Sequence, residues 1–115
     1  MKPTEKNLLL DALSVSYNRT NYLKALCEEQ ALTEEAGQLD RRKARLKLEI
    51  DGLLHDLYDN WIGDAKTLNG QLDESNKAVD KAVKDIEQKV KTAENVVKAI
   101  GYIDDVIKIA AGLVL

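Results

Sequence analysis

Asp51, His55 and Asp59 are spaced four apart, which on a helix lines them along one face. Imidazole and carboxylate at that spacing converge well enough to grip a divalent cation. The line lacks a second histidine, and acidic or neutral residues on the outward side of a charged helix are ordinary solvated groups. His55 has no Ser, Cys or Glu placed by motif to serve as a general base for. Arg41-Arg42-Lys43-Ala44-Arg45-Leu46-Lys47 is the one basic cluster, and beside a leucine heptad it invites comparison with a leucine-zipper transcription factor. In that architecture the basic region precedes the zipper as a separate extension. Here it lies inside the repeat, among Glu34, Glu35, Asp40, Glu49 and Asp51, so its charges are expected to pair with acidic groups on a neighbouring helix. The lone Cys27 forms no intrachain disulfide and reads as a small helix residue. The reading therefore assigns no catalytic residue, cofactor, metal, small-molecule substrate or nucleic acid.

The elements that carry these residues are written in heptads. From Ala65, alternating steps of three and four land on Leu68, Leu72, Ser75, Val79, Ala82, Ile86, Lys89, Ala93, Val96, Ile100, Ile103, Ile107, Ala110 and Val114. Only Ser75 and Lys89 in that series are polar. A 3.5-residue repeat keeps one apolar seam against a partner helix along its length. Upstream, Leu32, Leu39, Leu46 and Leu53 are seven apart, with Ala36, Ile50 and Leu57 between them. Acid-then-lysine pairs four apart, such as Asp80 with Lys84 and Glu94 with Lys98, mark the solvated side of the second arm. The chain has 115 residues, a formal charge of −3, one proline, no phenylalanine and 32% charged residues. That composition describes long helices, and the small net charge implies no electrostatic partner.

Pro3 and Thr4 suit a helix start. Residues 14–21 are poor helix material, since Ser, Asn and Thr compete for the backbone, so a short helix over 4–16 followed by a break is expected, with one long helix running through as the alternative. The first long arm is placed at 21–60 and the second at 64–112, as one domain over 1–115. The two registers differ by one residue between Leu57 and Ala65, which is where a turn belongs. Trp61, Gly63 and Asp64 supply its chemistry: glycine past a helix end, and aspartate capping the next helix. Asn69-Gly70 is the rival turn. Either way the fold is all-α, a long antiparallel helical hairpin (coiled coil) whose arms run roughly 60–75 Å at 1.5 Å per residue.

Trp61-Ile62-Gly63 in a hairpin turn resembles the Trp-X-Gly signature of the small helical hairpins exported by type VII secretion. The resemblance covers those residues and the topology, and it implies an exported helical hairpin. The arms here are longer, the motif lies beyond the chain's centre, and Tyr102 is followed four residues later by Val106 rather than an acid.

One hairpin leaves apolar surface over. Val83, Val90, Val97 and Ala111 widen the second seam, and the outward side loses its charge past residue 100. Ile100, Ile103, Val106, Ile107, Ile109, Leu113 and Val114, with Leu115, are therefore expected to form a self-association surface that pairs two hairpins into a four-helix bundle. The function expected is that of a non-catalytic structural or interaction protein, an adaptor or assembly module partnered by itself or another helical protein. The alternative is a membrane-surface protein using Val96–Leu115. The apolar run Leu8-Leu9-Leu10 is cut by Asp11, too short for a signal peptide, so the cytoplasm is the expected location.

Overall fold

A computed structural model describes residues 1–55 and 60–114. Asp59, Leu57 and Leu115 lie outside the described residues. Among the described residues the secondary structure is helical throughout, in four helices: α1 (Pro3–Glu29), α2 (Thr33–His55), α3 (Ala65–Glu87) and α4 (Thr92–Ala111).

α1 starts where proline at its first position lacks only a donor the first turn leaves unpaired. Glu5 reaches back to accept the Lys2 backbone N–H at 2.8 Å. The helix then runs without the expected break through 14–21. Lys6, Leu9, Leu13, Ser16, Thr20, Leu23 and Cys27 are all buried, and their spacing alternates three and four, an unbroken heptad seam. Ser16 and Thr20 occupy that seam because their polar atoms are satisfied inside it. Thr20 Oγ1 donates to the Ser16 carbonyl at 2.8 Å. Ser16 Oγ donates to Asn76 Oδ1 of α3 at 2.6 Å, and Asn76 Nδ2 donates to the Ala12 carbonyl at 3.2 Å. Tertiary hydrogen bonds thus override a weak local propensity.

The breaks fall elsewhere, and each expected long arm doubles back on itself. α1 ends at Gln30, with Ala31 left-handed at φ 60°. The Leu32 N–H bonds the Cys27 carbonyl at 2.8 Å and the Ala31 N–H the Glu28 carbonyl at 3.1 Å, a Schellman motif built without glycine. The same motif closes α3: Lys89 is left-handed at φ 59°, and the Val90 N–H bonds the Asp85 carbonyl at 2.8 Å. Gln30 Nε2 donates to the Ile86 carbonyl at 3.0 Å, holding both turns at one end of the molecule.

At the other end, Asp64 caps α3. Its Oδ2 accepts from the Thr67 N–H at 3.0 Å and from Thr67 Oγ1 at 2.6 Å, which holds its carboxyl below the usual value. Gly63 has φ +98°, and a Cβ there would stand 2.8 Å from Leu68 Cδ1. The rival turn, Asn69-Gly70, lies within α3.

α1 packs on α2 and α3, α4 packs on both of those helices, and α2 and α3 sit at opposite corners of this bundle-like arrangement. Leu23, Leu26, Ala36, Leu39, Val83, Ile86, Val96 and Ile103 belong to one apolar cluster, near the two Schellman turns. Leu9, Leu13, Leu46, Leu53, Trp61, Leu72, Val106 and Leu113 belong to the other. Each fully buried Leu or Ile contributes about 1.5–3 kcal/mol. The molecule measures 43 × 22 × 17 Å, the length of one 27-residue helix rather than of a 60–75 Å arm.

Candidate functional site

Turns inside both expected arms, at 30–32 and 88–90, relocate most of the residues that the sequence singles out. Ile100, Ile103, Val106 and Leu113, expected on a surface between copies, are buried in the chain's own core, and Ile107, Ile109 and Val114 are half-buried against it. The helices that cover them belong to the same chain. Asp51 and His55 are exposed on α2, and no cluster of three potential metal ligands occurs among the described residues.

The basic cluster is engaged by its surroundings. Arg42 Nε donates to Asp104 of α4 at 3.1 Å, Arg45 Nε to Glu49 at 3.0 Å, and the Lys43 ammonium lies 5.8 Å from the Tyr17 ring centroid. Lys24 on α1 bridges to Asp40 on α2 at 3.0 Å, and that carboxylate raises its pKa. Cys27 is fully buried, and burial, with Glu35 adding to it, pushes its thiol up to about 11. Trp61 is buried at the open end of the helices, with the Lys6 ammonium 5.6 Å from its ring centroid. The Ile62 N–H bonds the Leu113 carbonyl at 2.9 Å, tying the segment before α3 to the end of α4.

A surface groove of about 360 Å³ runs between α3 and α4. Alanines 78 and 82 line it, with Lys81, Lys91, Lys98, Asp85 and Tyr102 around them, and Asn95 Nδ2 donates to the Val90 carbonyl at 2.8 Å. These groups are of mixed charge, and no nucleophile is paired with a base there.

The outward side of α1 is different in kind. Between residues 7 and 25 its exposed residues are Asn7, Leu8, Asp11, Ser14, Val15, Asn18, Arg19, Asn21, Tyr22 and Ala25. Two of these ten are charged, Asp11 and Arg19. On α3 the exposed residues are Lys66, Thr67, Gly70, Gln71, Asp73, Glu74, Lys77, Lys81, Lys84 and Glu87, of which seven of ten are charged. Down the middle of the α1 surface run Leu8, Val15 and Tyr22, seven apart and 57%, 41% and 48% exposed. Their edge toward α3 is bounded by an ion pair between Arg19 and Asp80. Charge depletion around an aromatic and aliphatic stripe distinguishes the centre of an interface from ordinary surface. Reading the sequence by its buried seams passes over this stripe, which is a second heptad lying one position outside the core. Its signal is the run of Ser and Asn where other helices carry Lys and Glu.

No protein-family model matches this chain, and no curated protein or solved structure matches it either.

Proposed function

We propose that this chain is a non-catalytic interaction protein of the cytoplasm, an adaptor or assembly module that offers one helix face to another apolar-striped helix. The observation that carries this reading is the outward surface of α1, apolar along Leu8, Val15 and Tyr22 and nearly free of charge from residue 7 to 25. A stripe repeating every seven residues fits the seam of another helix better than it fits an extended peptide or a small molecule. The remaining three helices serve as the scaffold that holds α1 straight. Antiparallel pairing of α1 with α2 and of α3 with α4 supplies that scaffold within one chain. The second-arm residues expected between copies stabilise it from inside. No described helix is long and apolar enough to cross a membrane, and much of the apolar segment from Val96 onward is buried in the core.

The test is site-specific photocrosslinking in cells. A photoreactive residue at position 15 should yield discrete cross-linked species, whereas one at position 84, on the charged surface of α3, should yield none. Equal or absent cross-linking at the two positions sinks the reading.

A further inference from the structure

We infer that the α1 surface is self-complementary and that its occupant is α1 of a second copy, packed antiparallel about a two-fold axis at Val15. This rests on the reading of that surface as an interface and names its partner. A two-fold interface requires that residue i meet residue j while j meets i. With Val15 at the centre, Leu8 and Tyr22 stand seven residues before and after it, so each leucine meets the second copy's tyrosine. Asp11 and Arg19 stand four before and four after. Asp11 then lies at the level of the second copy's Arg19, with Asn18 of that copy on the same edge to donate to the carboxylate. Arg19 binds Asp80 through its Nε, and a guanidinium carries five N–H donors, enough to reach a second carboxylate across the seam.

Parallel pairing would set Asp11 against Asp11 and Arg19 against Arg19. The order of charges along the helix therefore selects the antiparallel arrangement, as opposite and like charges do in helix pairing generally. The exposed stretch is about 27 Å long at 1.5 Å per residue. A single helix pair of that length lies near the lower limit of about 1,000 Å² for a stable complex, so a dissociation constant of about 1–100 µM is expected.

Disulfide cross-linking reads both the contact and its direction. Under mild oxidation Val15→Cys alone should form a covalent dimer. Leu8→Cys and Tyr22→Cys should each form at least tenfold less alone and cross-link efficiently when mixed. The parent chain is the control, since its Cys27 is fully buried. Sedimentation velocity from about 1 to 500 µM should show a concentration-dependent dimer that Val15→Arg or Asp11→Arg abolishes without loss of helical circular dichroism. Self-cross-linking of Leu8→Cys as fast as the mixture would overturn the antiparallel arrangement. A parent chain that is monomeric throughout, with no disulfide at position 15, would overturn the dimer. If photocrosslinking at position 15 then still captures a different helical protein, the interaction reading survives and only the self-partner fails.

Discussion

Ser16, Asn76 and the Ala12 carbonyl form a closed polar triangle between α1 and α3, with Thr20 bonded one turn further on. Such a group specifies register, because sliding α1 along α3 by one turn would strand buried donors and acceptors. Asn76→Ala removes the donor to the Ala12 carbonyl, removes the acceptor of Ser16 and leaves a void, so it should cost about 2–3 kcal/mol in urea unfolding. Replacing both partners by apolar groups, Ser16→Ala with Asn76→Leu, should stay within about 1 kcal/mol of the parent, since no polar atom of the pair is then left unbonded. Two single losses that simply add would show that the triangle is not a unit. Cys27 offers a pH test of its burial. Its folded value of about 11 lies above its ordinary 9.0, so the unfolded chain ionises first as pH rises. The thiol's contribution is fully present below 9.0 and is lost as pH climbs towards about 11. Urea midpoints of the parent should therefore fall more steeply above pH 9 than those of Cys27→Ala; identical slopes would mean the thiol is not buried.

At the scale of elements, the apolar seams were legible and the places where helices reverse were not. Leu39, Leu46 and Leu53 are buried on α2, and Leu72, Val79, Ile86, Val96, Ile100 and Ile103 on α3 and α4, all at positions of the written heptads. Asp64 and Gly63 use residue types whose capping and left-handed conformations are readable in advance. Gln30-Ala31-Leu32 and Gln88-Lys89-Val90 contain neither Gly, Asn nor Pro, so the heptad pattern passes through both turns without a punctuation mark. The α1 seam was hidden for the opposite reason, since Ser16 and Thr20 look like breakers until Asn76 comes into contact with them. The α1 stripe was hidden because it lies beside a seam rather than on it. A glycine substitution distinguishes a reversed chain from a continuous arm by its sign. Where Ala31 is left-handed, Ala31→Gly should stabilise by about 0.5–1 kcal/mol, because an L side chain pays about 1–2 kcal/mol there. In the middle of an unbroken helix the same change would destabilise by about 1 kcal/mol. Thermal or urea unfolding of Ala31→Gly and Lys89→Gly gives that sign directly.

For the whole molecule, the turns inside the two expected arms exchange one long seam for a short body with separate inner and outer heptads. The inner heptads close the core, and the outer one on α1 is left to meet something else. This division makes two kinds of apolar substitution behave oppositely. Ile103 is 1% exposed within the core, so Ile103→Asp buries a carboxylate without a partner and should cost several kcal/mol, about 3–5. The result should be loss of cooperative unfolding at any protein concentration, not a smaller oligomer that remains folded. Val15 is 41% exposed, so Val15→Arg should leave the unfolding midpoint of dilute protein within about 0.5 kcal/mol of the parent while removing association. Scattering from dilute Val15→Arg should then give a particle consistent with the 14.4 Å radius of gyration of one chain, far below that of a 60–75 Å hairpin. The long hairpin instead places Ile103 at a surface between copies and ends the first helix near residue 16. If Ile103→Asp instead yields a folded monomer, Ile103 lies between copies, as the long hairpin has it. Intact folding with Val15→Arg and collapse with Ile103→Asp locates the core inside one chain and the interface on α1.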